Sequence, residues 1–186
     1  MVRSSGGKRE TVFFVIVFAV FYLITASIIP YSGVKMEFLS ALNGEYAQNS
    51  VKPDILLALV ICSAIFSSRR RTVILGIIFG FIVDVTCSVP MFSSLCYCLC
   101  GHYAKKFSYT FSGKGVINAM LVALPLLLIK SVTSTFYLLG AWHNISFKDI
   151  LFSAILPEYI YNVIAVAVVY AVLSLLMKLA RIEKTG

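Results

Sequence analysis

KPDILLALVICSAIFSSRRRTVILGIIFGFIVD, residues 52–84, decides the fold. Two apolar runs flank Arg69-Arg70-Arg71, and Pro53-Asp54 opens the first of them. Moving Lys and Arg across a polarised membrane is unfavourable, so loops rich in them stay on the cytoplasmic side. The alternation continues in both directions from here. Arg3/Lys8/Arg9, Arg69–Arg71, Lys105/Lys106/Lys114 and Lys178/Arg181/Lys184 each supply three cations. The segments between them hold Lys35 and Lys52, then none, then Lys148. With the cation-rich corners on one side, about six membrane crossings follow, with both termini cytoplasmic.

Composition agrees with an all-α integral membrane protein. Of 186 residues, 60% are hydrophobic and 13% are charged; soluble domains carry about 25% charged residues. A soluble fold of this size could not hide so much apolar surface, whereas lipid covers it in a bilayer. One membrane domain over residues 1–186 is expected. The formal charge of +8 is explained by topology and by contact with anionic lipid headgroups. Nucleic-acid binding is not expected, because base-reading or stacking partners are missing from a basic face.

The expected spans run from about Thr11 to Ile29, Ile55 to Ser68, Thr72 to Ser88, Met91 to Tyr103, Val116 to Leu139 and Ile150 to Met177, each an apolar run. The first has an apolar core of about 19 residues, longer than the 7–15 of a cleaved signal, so a retained span is expected. The second is short: a helix from Ile55 to Ser68 rises about 21 Å against roughly 30 Å of hydrocarbon. It is expected to take in Pro53 and Asp54, with Pro53 at a first helical position and Asp54 near the positive end of the dipole. In the third, Gly76, Gly80 and Asp84 are spaced by four and share one face, which lets a neighbouring helix approach closely. Pro157 marks a kink in the last span. Met36–Ser50 forms the longest outward segment. Trp142 and Tyr137 mark the outer interface, and Tyr103, Phe107 and Tyr109 the inner one.

Three ionisable groups fall within these spans: Asp84, Lys130 and Glu158. Helical rise places all three in a slab roughly 5 Å thick. Charges in hydrocarbon are costly unless paired or hydrated. Lys130 is expected to face the bundle interior and to pair with Asp84, Glu158 or both. That cluster can be a packing lock or a polar face for a partner or ligand. A lone Lys130 can instead snorkel to the interface.

Catalytic and cofactor motifs are missing. The sequence has no Gly-rich phosphate loop, HExxH or GxSxG, and only two histidines, His102 and His143. No enzyme activity, cofactor or catalytic residue is expected. Cys62, Cys87, Cys96, Cys98 and Cys100 are odd in number and imply no disulfide framework. Cys96 and Cys100 share a helix face nearly opposite Cys98 and His102, so the four do not converge on one metal. Buried small hydrophobes are expected, with no metal.

The order of these features resembles the core of the MreD family, the rod shape-determining membrane proteins of bacteria. Its members show a Pro-Asp opening a span, a short basic loop, and a span with spaced glycines ending in Asp. The counterparts here are Pro53-Asp54, Arg69–Arg71, Gly76/Gly80 and Asp84. Pro90, Tyr97 and Gly101 follow in order, and Leu156, Pro157 and Asn162 match a late Leu-Pro and Asn pattern. The likeness covers about Val51 to Tyr103 clearly, and the last span loosely. Met91-Phe92 departs from it, since a Gly usually follows the Pro turn.

The resemblance implies a non-enzymatic scaffold of the cell-elongation machinery in the bacterial cytoplasmic membrane. Its partners would be MreC and, through it, the MreB filament system, the glycan polymerase RodA and a penicillin-binding transpeptidase. It also implies a six-helix fold similar to the S component of energy-coupling-factor vitamin transporters. The Gly76/Gly80/Asp84 face and the Pro53-Asp54 region are the candidate docking surfaces. The alternative is an S-component-like subunit that binds a small molecule under its outer loops. Fold alone does not decide between them.

Overall fold

The computed structural model describes residues 4–27, 54–87, 92–111, 115–141 and 151–180. Among the described residues the chain is all-helical, with α1 Ser4–Ser27, α2 Ile55–Phe66, α3 Arg69–Cys87, α4 Phe92–Thr110, α5 Val116–Ala141 and α6 Leu156–Leu179. A π-helical turn, Leu151–Ile155, leads directly into α6. The expected outer segment Met36–Ser50, Pro53, the Pro90 turn and the side chains of Tyr137 and Trp142 lie outside the described residues.

The short helix α2 is the centre. From Leu56 to Ala64, and again at Phe66, its side chains are at most 1% exposed. A helix that is apolar all round is stable only when surrounded. Phe14 and Phe18 of α1, Tyr97 and Cys100 of α4, Val122 and Leu126 of α5, and Val166 and Tyr170 of α6 belong to the same buried cluster. Phe66 stacks on Tyr170 at 4.9 Å between ring centroids. The Cys62 thiol donates to the Val166 carbonyl at 3.6 Å, a second tie between α2 and α6.

The five outer helices present large apolar side chains outward. Val12 and Leu23, Ile74 and Phe81, Leu95 and Leu99, Ile117 and Ile129, and Ile160 and Leu175 are all exposed. Two stretches, Lys8–Ala26 and Leu156–Leu179, are long and apolar enough to cross a membrane; Ile55–Phe66 and Val116–Val132 are shorter apolar helices.

Three sequence expectations change at the level of backbone. Arg69–Arg71, read as a loop, is the first turn of α3, and Lys105 and Lys106 lie inside α4, which continues to Thr110. Retention of cations reports their side of a membrane and not their backbone conformation. Pro157 falls in the first turn of α6, just after the π turn. That is where its missing N–H leaves no helical bond unmade. Pro125 is the proline inside a helix.

Candidate functional site

Four helices meet at the start of α2. Asp54 is its N-cap: the Leu57 N–H donates to Asp54 Oδ1 at 2.9 Å. A carboxylate here satisfies an otherwise orphaned N–H and faces the positive end of the helix dipole. The same oxygen accepts the Tyr97 hydroxyl of α4 at 2.6 Å. The Asp54 N–H donates to Asn162 Oδ1 of α6 at 2.6 Å. Because that N–H is a donor, it fixes the Asn162 amide with its oxygen inward. Asn162 Nδ2 is then sealed in without a hydrogen-bond partner among the described residues.

Lys130 of α5 reaches the same point. Its ammonium lies 3.9 Å from Asp54 Oδ2 and forms a closer ion pair with Glu158 in the first turn of α6. The three side chains are 14%, 21% and 24% exposed for Lys130, Asp54 and Glu158. One cation therefore sits between two carboxylates, each of which also faces a helix N-terminus. The arrangement holds α2, α5 and α6 together by charge.

Asp84 is not in this cluster. Its two oxygens accept the backbone N–H groups of Ser93 and Ser94, both at 2.8 Å. These are orphan donors in the first turn of α4, so Asp84 caps α4 from α3. The expected Asp84–Lys130 pairing is thereby corrected, and Asp54 takes the place assigned to Asp84. Depth estimates from sequence cover only Asp84, Lys130 and Glu158 and leave Asp54 aside as a helix start near the outer surface. With 12 residues, α2 rises only about 18 Å, and its first turn lies at the level of Lys130. The shortness of that apolar run was the signal.

Gly76 and Gly80 complete the α3–α4 seam. A Cβ on Gly80 would stand 2.6 Å from Ser94 Cα, and one on Gly76 would stand 3.0 Å from the Tyr97 carbonyl oxygen. Only glycine permits that approach. Gly101 of α4 returns the contact, since a Cβ there would stand 3.3 Å from both Thr72 and Val60 side chains. The Gly76/Gly80/Asp84 face is covered by α4 of the same chain, so it is not available to a partner.

At the opposite end of α2 a second polar group forms. Glu10 of α1 pairs with Arg71 at 2.5 Å and accepts the Ser67 hydroxyl at 3.1 Å. Arg71 donates to Ser67 Oγ at 3.0 Å. Glu10 and Ser67 are buried. Sequence reasoning overlooked Glu10, the carboxylate that directly follows Lys8-Arg9. Arg69 donates to His102 Nδ1 of α4 at 3.2 Å. Arg70 is exposed.

No group of three His, Cys, Asp or Glu residues suited to a metal occurs among the described residues. The groove between α1 and α6, lined by Phe21, Ile164, Val168 and Val172, is apolar. Comparison with protein-family models, with curated proteins and with solved structures gives no match.

Proposed function

We propose that this chain is a multi-pass membrane protein that serves as a non-enzymatic scaffold of the bacterial cell-elongation machinery, in the manner of the MreD family it resembles. Its partner would be MreC, and through it MreB, RodA and a penicillin-binding transpeptidase. One observation carries this reading. The residues behind the resemblance are far apart in sequence, yet they touch one another: Asp54 with Tyr97 and Asn162, Gly76 with Tyr97, and Asp84 with the first turn of α4. Contact among the members of an ordered motif supports reading them as packing residues of one fold. The apolar exterior of the five outer helices supports a bilayer setting.

A partner must then dock on the outer helices, because the glycine face is filled from within. Specific association in lipid depends on close packing and polar pairing. Co-purification from native membranes tests the scaffold: a tagged chain is expected to recover MreC. Loss of the chain is expected to round the cells. A chain that recovers no elongation protein, and whose loss leaves rods intact, refutes the reading. The partly exposed Lys130–Asp54–Glu158 cluster favours a second reading, an S-component-like subunit, and vitamin binding to the purified protein would replace the first with it.

A further inference from the structure

The inner end of the α3–α4 seam holds a cation that the scaffold does not use. The two helices pair in register: Gly80 against Ser94, Gly76 against Tyr97, Thr72 against Gly101 and Arg69 against His102. One turn further along α4 lies Lys105, level with the Ser67–Ser68 turn. Lys105 is only 6% exposed, yet no carboxylate pairs with it among the described residues. Its ammonium lies over the Tyr109 ring, 5.3 Å from the centroid. That ring is itself 69% exposed, so the stem is buried while the charged tip lies at the edge of the bundle.

Among the described residues no free counter-charge stands nearby. Glu10, the one carboxylate among the described residues at this end, is taken by Arg71. Arg69 is steered towards Lys105's helix by His102 and keeps guanidinium N–H groups free of it. Lys106 is exposed and needs only water; Lys105 differs because its stem is held in the bundle, which fixes where its charge emerges. Lys130, the other enclosed ammonium, has two carboxylates for the same need.

We propose that this end of the seam seats the phosphate of one anionic phospholipid, with Lys105 and Arg69 as its cationic contacts. The site rests on the membrane reading given under the proposed function, with the cation-rich corners, Arg69–Arg71 among them, on the cytoplasmic side. Anionic headgroups are concentrated there, and basic pockets between helices select them. Further along the same helices Ile74, Ile78, Leu99 and Tyr103 are exposed. Acyl chains cover such a surface; a free phosphate does not.

The test uses the full chain in bilayer discs of equal parts phosphatidylcholine and phosphatidylglycerol, released into native mass spectrometry. Lys105→Met keeps the apolar stem. It is expected to lower retained phosphatidylglycerol by more than the roughly fivefold that one cation near a bilayer supplies, while Lys106→Met lowers it by less. Arg69→Gln is expected to fall with Lys105→Met, and Lys105→Arg to recover the wild-type value. Equal losses for Lys105→Met and Lys106→Met overturn the site, since diffuse charge would then account for all binding. Retention of added inorganic phosphate in place of the lipid overturns it too. A chain that does not enter discs refutes the membrane reading and the site together. Lys105-dependent lipid without MreC removes the scaffold and leaves the site standing.

Discussion

The two ends of α2 are fastened differently. At its start, Asp54 draws in Tyr97, Asn162 and Lys130 from three other helices. At its finish, Ser67 joins Glu10 and Arg71, which belong to α1 and α3. The first end gathers the later part of the chain and stays partly exposed. The second gathers the earlier part and buries its carboxylate. An apolar helix that is buried on all sides has no face to set its rotation or height. Polar ties at its two ends supply that register, and the asymmetry shows which end joins the two halves of the chain.

The seam that runs between the two ends gives the largest expected effect when broken. Gly80→Leu forces a side chain against the Ser94 backbone, where overpacking costs about 3 kcal/mol or more. The expected result is loss of the monodisperse peak in detergent, with or without any partner. A Gly80→Leu chain that elutes normally would put α4 elsewhere. Next comes a direct comparison of the ends by thermal unfolding in detergent. Asp54→Ala removes a cap, a hydroxyl's acceptor and a counter-ion at once, a loss of about 3 kcal/mol when costs of about 1 kcal/mol each are taken together. Glu10→Gln keeps a hydrogen-bonding oxygen for Ser67 and is expected to cost about 1–2 kcal/mol. If Glu10→Gln lowers the melting temperature as much as Asp54→Ala, the ends are equivalent and the asymmetry has no energetic meaning. The smallest effect is expected of Tyr97→Phe, which deletes one hydroxyl bond to a carboxylate and costs about 1 kcal/mol, since Asp54 keeps its other partners. A drop as large as that of Asp54→Ala would instead make Tyr97 the centre of the network.

Much of this was legible beforehand in particular residues. Spacing of four put Gly76, Gly80 and Asp84 on one face, and that face meets α4. Apolar length marked α1 and α6, whose described stretches are long enough to cross a membrane. What escaped was everything that depends on a helix ending early. The period of a sequence gives faces, but the height of one helix against another comes from where each begins. Asp54 was read as a surface cap because its partners, Tyr97, Lys130 and Asn162, lie 43, 76 and 108 positions away. Asp84 was read as a charge in need of a cation, when two backbone N–H groups satisfy it. Local composition does not distinguish a capping carboxylate from an ion-pairing one.

The tie between Asp54 and Asn162 also bears on biogenesis. Among the described helices α2 is early in the chain yet innermost in the bundle, and the acceptor for the N–H of its cap, Asp54, is made 108 residues later. Until α6 emerges, the nascent chain carries an unenclosed central strut. Contacts this distant along the chain form slowly. Emergence of α6, rather than arrival of the central helix, therefore sets the moment at which the protein becomes itself.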